Sequence, residues 1–232
     1  MNEIVDSFGL ALGMVLRLDA ALVEIVLLSL KVSLLAVALA ALIGLPLGAA
    51  LALARFPGRH ALIVLVNAAM GLPPVVVGLV VYLMLSRSGP LGVMGLLFTP
   101  TAMIVAQMIL VTPIVAALTR QGCEDLWAEY AEQLRSLGVG GVRAAATVLW
   151  DGRLALVTAL LAGFGRASAE VGAVMIVGGN IDHVTRVMTT AIALETSKGD
   201  LALALGLGLV LLALSLLVNG GAQLVKEAMA ER

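Results

Sequence analysis

The chain has 232 residues, 61% of them hydrophobic and 12% charged, with a formal net charge of −1. Soluble domains carry about 25% charged residues, so this composition excludes an ordinary water-soluble globule. The near-neutral balance also excludes nucleic acid as a partner held by bulk charge. Long apolar runs without polar alternation predict an all-α polytopic membrane protein.

Residues 1–28 mix Asp6, Arg17, Asp19 and Glu24 with apolar side chains. They predict an N-terminal amphipathic helix lying on the membrane surface or packed on the bundle. A crossing that starts near Leu10 is the competing reading, against which Arg17 and Asp19 count. The opening MNEIVDSFGL lacks the basic flank and small-residue cleavage site of a signal peptide.

Residues 29–222 form the transmembrane domain. A crossing takes roughly 20 apolar residues, and about five stretches qualify: residues 32–54, 61–85, 99–118, 154–177 and 201–218. Arg55 and Arg59, then Arg120, Arg135, Arg143 and Arg153, then Lys226 and Arg232 in the tail 223–232, fall on one side of a five-span chain. The excess of basic residues makes that side cytoplasmic. The expected orientation is therefore N-terminus outside and C-terminus inside.

Glycine and proline mark irregular spans. Gly44, Pro46 and Gly48 lie in the first, where close packing and a helix break both remain open. Pro73 and Pro74, in MGLPPVVVGL, predict a broken helix in the second. Pro113 lies in the third.

The stretch 124–152 is charged and broken by glycine. Leu126, Tyr130, Leu134 and Leu137 recur at helical steps on one face, while Glu129, Glu132 and Arg135 take another. Glu132 and Arg135 are spaced to pair, and Gly138, Gly140 and Gly141 end the helix. The expectation is a short amphipathic helix, a turn and a second helix on the cytoplasmic side. It either lies on the membrane or docks into a groove of a soluble partner.

This stretch resembles the cytoplasmic signature of import permeases of ATP-binding-cassette (ABC) transporters: Glu-Ala-Ala, three residues, Gly, nine residues, Ile, one residue, Leu-Pro. Glu132, Gly138 and Val148 stand at the glutamate, glycine and isoleucine places. Gln133 and Leu134 replace the alanines, and Trp150 and Asp151 replace Leu-Pro. Further on, EVGAVMIVGGNI and TTAIALETSKGD are similar to oxyanion importers, the tungstate permeases most of all and the molybdate and sulfate permeases next.

The resemblance implies a type I ABC importer permease in a bacterial inner membrane, with 124–152 as its coupling segment. Glu132, Arg135, Leu137 and Gly138 would couple it to an ATPase. It also implies a homodimer, two ABC ATPase subunits that carry ATP and Mg, and an extracytoplasmic oxyanion-binding protein. The chain itself would bind no cofactor. A scaffold without transport and an ion-coupled carrier are the alternatives from other classes.

Arg166 and Glu170 lie deep in the fourth expected span, where a charge costs on the order of 2.5–3.5 kcal/mol. At four residues apart they predict a helix clasp, part of an anion path or a gating switch. Gln107, Thr112, Asn180, Thr189 and Thr190 either line such a path or hydrogen-bond between helices. His183 reads as a solvated loop histidine rather than a metal ligand, Cys123 as an incidental thiol, and Asp182, Glu195 and Asp200 as loop charges available to a binding protein. The sequence holds no phosphate-binding GxxxxGK[ST] loop and no HExxH, so neither catalysis nor a metal site is expected.

Overall fold

A computed structural model describes residues 2–230, with side chains described for 7–221, 223 and 224. The side chains of Asp6 and Lys226, and Arg232, lie outside the described residues. Ten α-helices run in chain order through them: α1 (Asn2–Leu16), α2 (Ala20–Leu53), α3 (Arg59–Ala69), α4 (Pro74–Leu85), α5 (Pro100–Ser136), α6 (Gly141–Asp151), α7 (Arg153–Ser168), α8 (Gly172–Gly178), α9 (Met188–Lys198) and α10 (Leu201–Ala230). Among the described residues three helices are long and apolar enough to cross a membrane: α2, α5 and Leu201–Gly221 of α10. The number rises to five if the bent pairs α3–α4 and α6–α7 each count as one span.

Local chemistry sets the helix ends. Asp19 Oδ1 accepts from the N–H groups of Ala21 (3.1 Å) and Leu22 (3.4 Å). It thus satisfies donors that a helix start leaves unpaired, and Leu18 beside it takes φ +52°. The chain therefore breaks at residues 17–19, and α2 begins well before residue 32. Between α3 and α4 the chain leaves helical geometry. Pro73 is extended (ψ 121°) because the following Pro74 disfavours α geometry, and Pro74 opens the next helix.

The expected fourth span is corrected. α7 stops at Ser168 and α8 starts at Gly172, so residues 169–171 interrupt it without a proline. The segment after residue 124 is corrected as well. It is no separate helix but the uninterrupted end of α5, which also runs through Pro113.

The chain falls into two compact units. The first comprises Met1–Leu35, Pro73–Gln107 and Ser168–Gly221. Leu22 and Ile25 of α2, Met188 and Ala191 of α9 and Leu207 of α10 form a core in it. Gly78 of α4 lies so close to α8 that a Cβ there would stand 2.7 Å from Ala173 Cα. Val75 lies beside Gly172 of α8, and the opposite side of α4 leaves Val76, Leu79, Val80 and Leu83 exposed.

The second unit comprises Ala36–Leu72, Met108–Ala167 and Ala222–Arg232. Here Gly44 and Gly48 face α5. A Cβ on Gly48 would lie 2.5 Å from the Ala116 carbonyl oxygen, and one on Gly44 2.9 Å from Val115. α2 runs unbroken past Pro46, so these glycines serve close helix approach, the small-residue packing found between membrane helices.

Candidate functional site

In the second unit, α5 continues from the bundle as an arm. Leu126, Trp127 and Tyr130 pack with Cys123 and Leu134 against Ala144 and Val148 of α6, which leaves the cysteine buried. α6 meets α7 at a 73° bend. At the tip, Gly138 takes φ +66°, a conformation that disfavours any side chain. Its N–H donates to Arg135 O (3.0 Å) and the Val139 N–H donates to Leu134 O (3.0 Å). Val139 also joins Leu134 in the arm's small core. Those two bonds and that contact are the elements of a Schellman turn, so Gly138 is required by backbone geometry alone.

The motif positions divide cleanly. Val148, at the isoleucine place, is fully buried, whereas Glu132, Arg135, Leu137 and Gly138 are all exposed. Leu137 lies just past the end of α5 and is 75% exposed, instead of joining the packed face. Arg135 does not pair with Glu132; its guanidinium lies over the Trp127 ring at 5.7 Å. Val142, on the first turn of α6, is 87% exposed. The tip thus carries bare apolar side chains beside opposite charges, a surface suited to a protein groove.

At the arm's base is an ion cluster that sequence reasoning missed. Arg59 Nη2 donates to Glu124 Oε1 at 2.5 Å, and Arg120 Nη1 donates to the other oxygen, Oε2. Arg59 Nε donates to the Leu51 carbonyl at 2.6 Å. The four-residue spacing of Arg120 and Glu124 was visible in the sequence, but the partner 65 residues away was not.

In the first unit, polar side chains turn inward. Glu170 is 3% exposed, and its Oε1 accepts from the Ala173 N–H (3.0 Å) at the start of α8. Its carbonyl accepts from Thr189 Oγ1 (2.8 Å). Because α7 has ended at Ser168, no continuous helix carries the Arg166-to-Glu170 spacing; Arg166 lies half-buried in the last turn of α7. Asn180, at φ +51°, donates from Nδ2 to Thr190 O (3.3 Å). Thr185 Oγ1 donates to Gly178 O (2.6 Å), and Thr190 Oγ1 accepts from the Val187 N–H (3.2 Å). Gln107 is buried on α5. Thr112, in the second unit, bonds back to Met108 O (2.7 Å) within its own helix.

The loop 179–187 is stapled to α2. His183 Nδ1 lies 2.9 Å from Glu24 Oε2, and Arg186 pairs with Asp182 at 2.7 Å. The hydrogen bond to Glu24 and the Glu24 and Asp182 charges raise the His183 pKa, against smaller lowering effects of desolvation and Arg186. Glu195 is not a free loop charge, being buried and paired with Lys198 (3.0 Å). Asp200 accepts from the Leu203 N–H (3.2 Å) and caps α10. Among the described residues no group of three His, Cys, Asp or Glu side chains is placed to hold a metal ion.

Residues 44–231, which include the arm and the polar loop, match the family of binding-protein-dependent transport system inner membrane components. The chain belongs to that family. A probable anion ABC transporter permease protein of Haloferax volcanii is 44% identical over 203 residues, 85% of this chain and 88% of that protein. Tungstate uptake system permease proteins of Peptoclostridium acidaminophilum and Campylobacter jejuni are 40% and 37% identical over 219 residues. Those matches cover 94% of this chain and 96% and 92% of the relatives. As an ABC importer permease, the chain is a multi-pass, non-catalytic membrane component. It works with an ATPase subunit, which handles ATP, and with a binding protein.

Proposed function

We propose that this permease carries tungstate into the cytoplasm. The observation that carries the substrate is the 40% identity, over nearly the whole length of both chains, to a tungstate uptake permease. The basic residues at Arg55, Arg59, Arg120, Arg135, Arg143 and Arg153 support a cytoplasmic arm, with the N-terminus outside and the C-terminus inside. The boundary expected at residue 28 falls inside α2 (Ala20–Leu53), so the permease domain begins with α2 and runs to 222, with 124–152 as its coupling segment and 223–232 as the tail. Two copies of the chain enclose the path. One ATPase grips each tip through Glu132, Arg135, Leu137 and the turn at Gly138, and closure of the ATPases rocks the bundles between two access states.

Glu170, Asn180 and Thr189 hold the irregular backbone of the first unit, since each bonds to main-chain groups. Arg166 supplies positive potential toward a dianion, and Gln107 and Thr112 of α5 are further candidate polar residues for the path. The break at Pro73 and Pro74 gives the second span the irregularity that transport paths use.

The test is reconstitution of the permease with its ATPase and binding protein in vesicles. Tungstate-dependent ATP hydrolysis and tungstate uptake are expected, with molybdate and sulfate as weaker substrates. Equal or greater uptake of molybdate or sulfate overturns the tungstate assignment, and uptake without ATP overturns the importer reading. Arg166→Met should lower uptake while the assembled complex persists; a complex that fails to form makes the residue a clasp instead.

A further inference from the structure

We propose that Arg59, Glu124 and Arg120 form a positioning strut, which passes movement of the arm to the ends of α2 and α3. The inference rests on the coupling reading of the arm and extends it to residues outside the tip. From Glu124 to the end of α5 at Ser136 the arm is roughly 18 Å long at about 1.5 Å per residue. Glu124 lies just beyond residue 118, where the apolar stretch of α5 ends, and thus at the fulcrum of that arm.

The geometry at the fulcrum is specific. Each carboxylate oxygen of Glu124 has its own guanidinium, Arg59 on Oε1 and Arg120 on Oε2. Arg120 is on the same helix, so it orients Glu124 rather than tethering it. Arg59 is the tether. It opens α3 immediately after Gly58, which takes φ +85°, and its Nε reaches Leu51 O, one of the last four carbonyls of α2. Such carbonyls lack partners within their own helix. One guanidinium therefore binds three pieces of chain: the end of α2, the start of α3 and the base of the arm. Only Arg has donors in a rigid fork that serves a carboxylate and a carbonyl together.

Besides this link the arm is joined to α2 near its base by packing contacts of Gly48, Ala49, Ala52 and Leu53, which carry no charge-assisted bond. A charge-assisted bond resists sliding. Arg55 provides the internal contrast, because it lies on the same connection, is exposed and makes none of these bonds.

The test uses the complete reconstituted transporter and reads tungstate imported per ATP hydrolysed, beside co-purification of the ATPase. Glu124→Gln and Arg59→Ala are expected to retain the ATPase but to lower import per ATP roughly two- to fivefold, the equilibrium effect of an ion pair at this exposure. Arg59→Lys keeps the charge but loses the fork, and should fall between them and the unaltered protein. Arg55→Ala should match the unaltered protein. Unchanged import per ATP in both Glu124→Gln and Arg59→Ala overturns the strut. Loss of the assembled complex in both also overturns it, since the cluster is then a folding element. The underlying reading is judged separately by Leu137→Glu, which touches no strut residue: if this variant keeps full ATPase binding, the arm is not the grip.

Discussion

The polar loop of the first unit and the arm of the second use similar residues in opposite ways. In the loop, Glu170, Asn180, Thr185, Thr189 and Thr190 direct side-chain atoms at nearby backbone groups. In the arm, Glu132, Leu137 and Val142 are left outside, with a small apolar core behind them. A buried polar group without a partner costs about 1–3 kcal/mol, so irregular backbone inside a membrane protein needs side chains to satisfy it. An exposed tip has no such demand, and its residues are free to suit a partner. Polar residues in the loop therefore maintain structure, and those at the tip are available for recognition.

The contrast can be broken most severely by substituting a packing glycine. Gly48→Leu places side-chain atoms against the Ala116 carbonyl, and Gly78→Leu places them against Ala173. Each should destabilise by about 3 kcal/mol or more, read as a large fall in melting temperature or loss of expression in detergent. A milder break removes the inward carboxylate. Glu170→Ala should cost about 1–3 kcal/mol, and Glu170→Gln less, because an amide oxygen can still accept from the Ala173 N–H.

Tip substitutions sharpen the contrast by separating stability from binding. Leu137→Glu should leave the melting temperature unchanged and weaken ATPase binding by about tenfold or more, as expected for an apolar anchor. Gly138→Ala should cost about 1 kcal/mol from the left-handed turn, and Gly138→Asn less. The smallest expected effect concerns His183. Its pKa in the folded protein is raised by Glu24, so the pairing contributes fully below the ordinary value of about 6.5. That contribution is lost as pH rises through the raised pKa. His183→Gln should lower the melting temperature slightly at pH 5.5 and leave it unaltered at pH 9.

The long spans α2, α5 and α10 were legible because apolar length is a direct physical requirement of the bilayer, and the Pro73–Pro74 break because a residue before proline, here itself a proline, is pushed out of α geometry. The turn at Gly138 was legible for the same kind of reason. The interruption at residues 169–171 was not, since Ala169, Glu170 and Val171 are all compatible with a helix. Its cause is tertiary: Glu170 turns from the helix to cap α8, and Thr189 completes the corner. The continuity of α5 was hidden by the change from apolar to charged composition near Arg120. That change resembles a new element although the backbone hydrogen bonds never stop. Glu132 and Arg135 had the spacing for a pair, but the nearby Trp127 ring offers the guanidinium a flat face. Arg59 reaching Glu124 is a contact between distant segments, which local periodicity does not encode.

The sealing of Cys123 has a practical consequence. The chain contains one thiol, and that thiol is 1% exposed between α5 and α6. Maleimide reagents will not reach it in the folded protein. A fluorescent or spin reporter can therefore be attached at an introduced surface cysteine in place of Glu129, which is exposed on the arm and outside the proposed grip, without first stripping the native one, and arm motion followed during turnover.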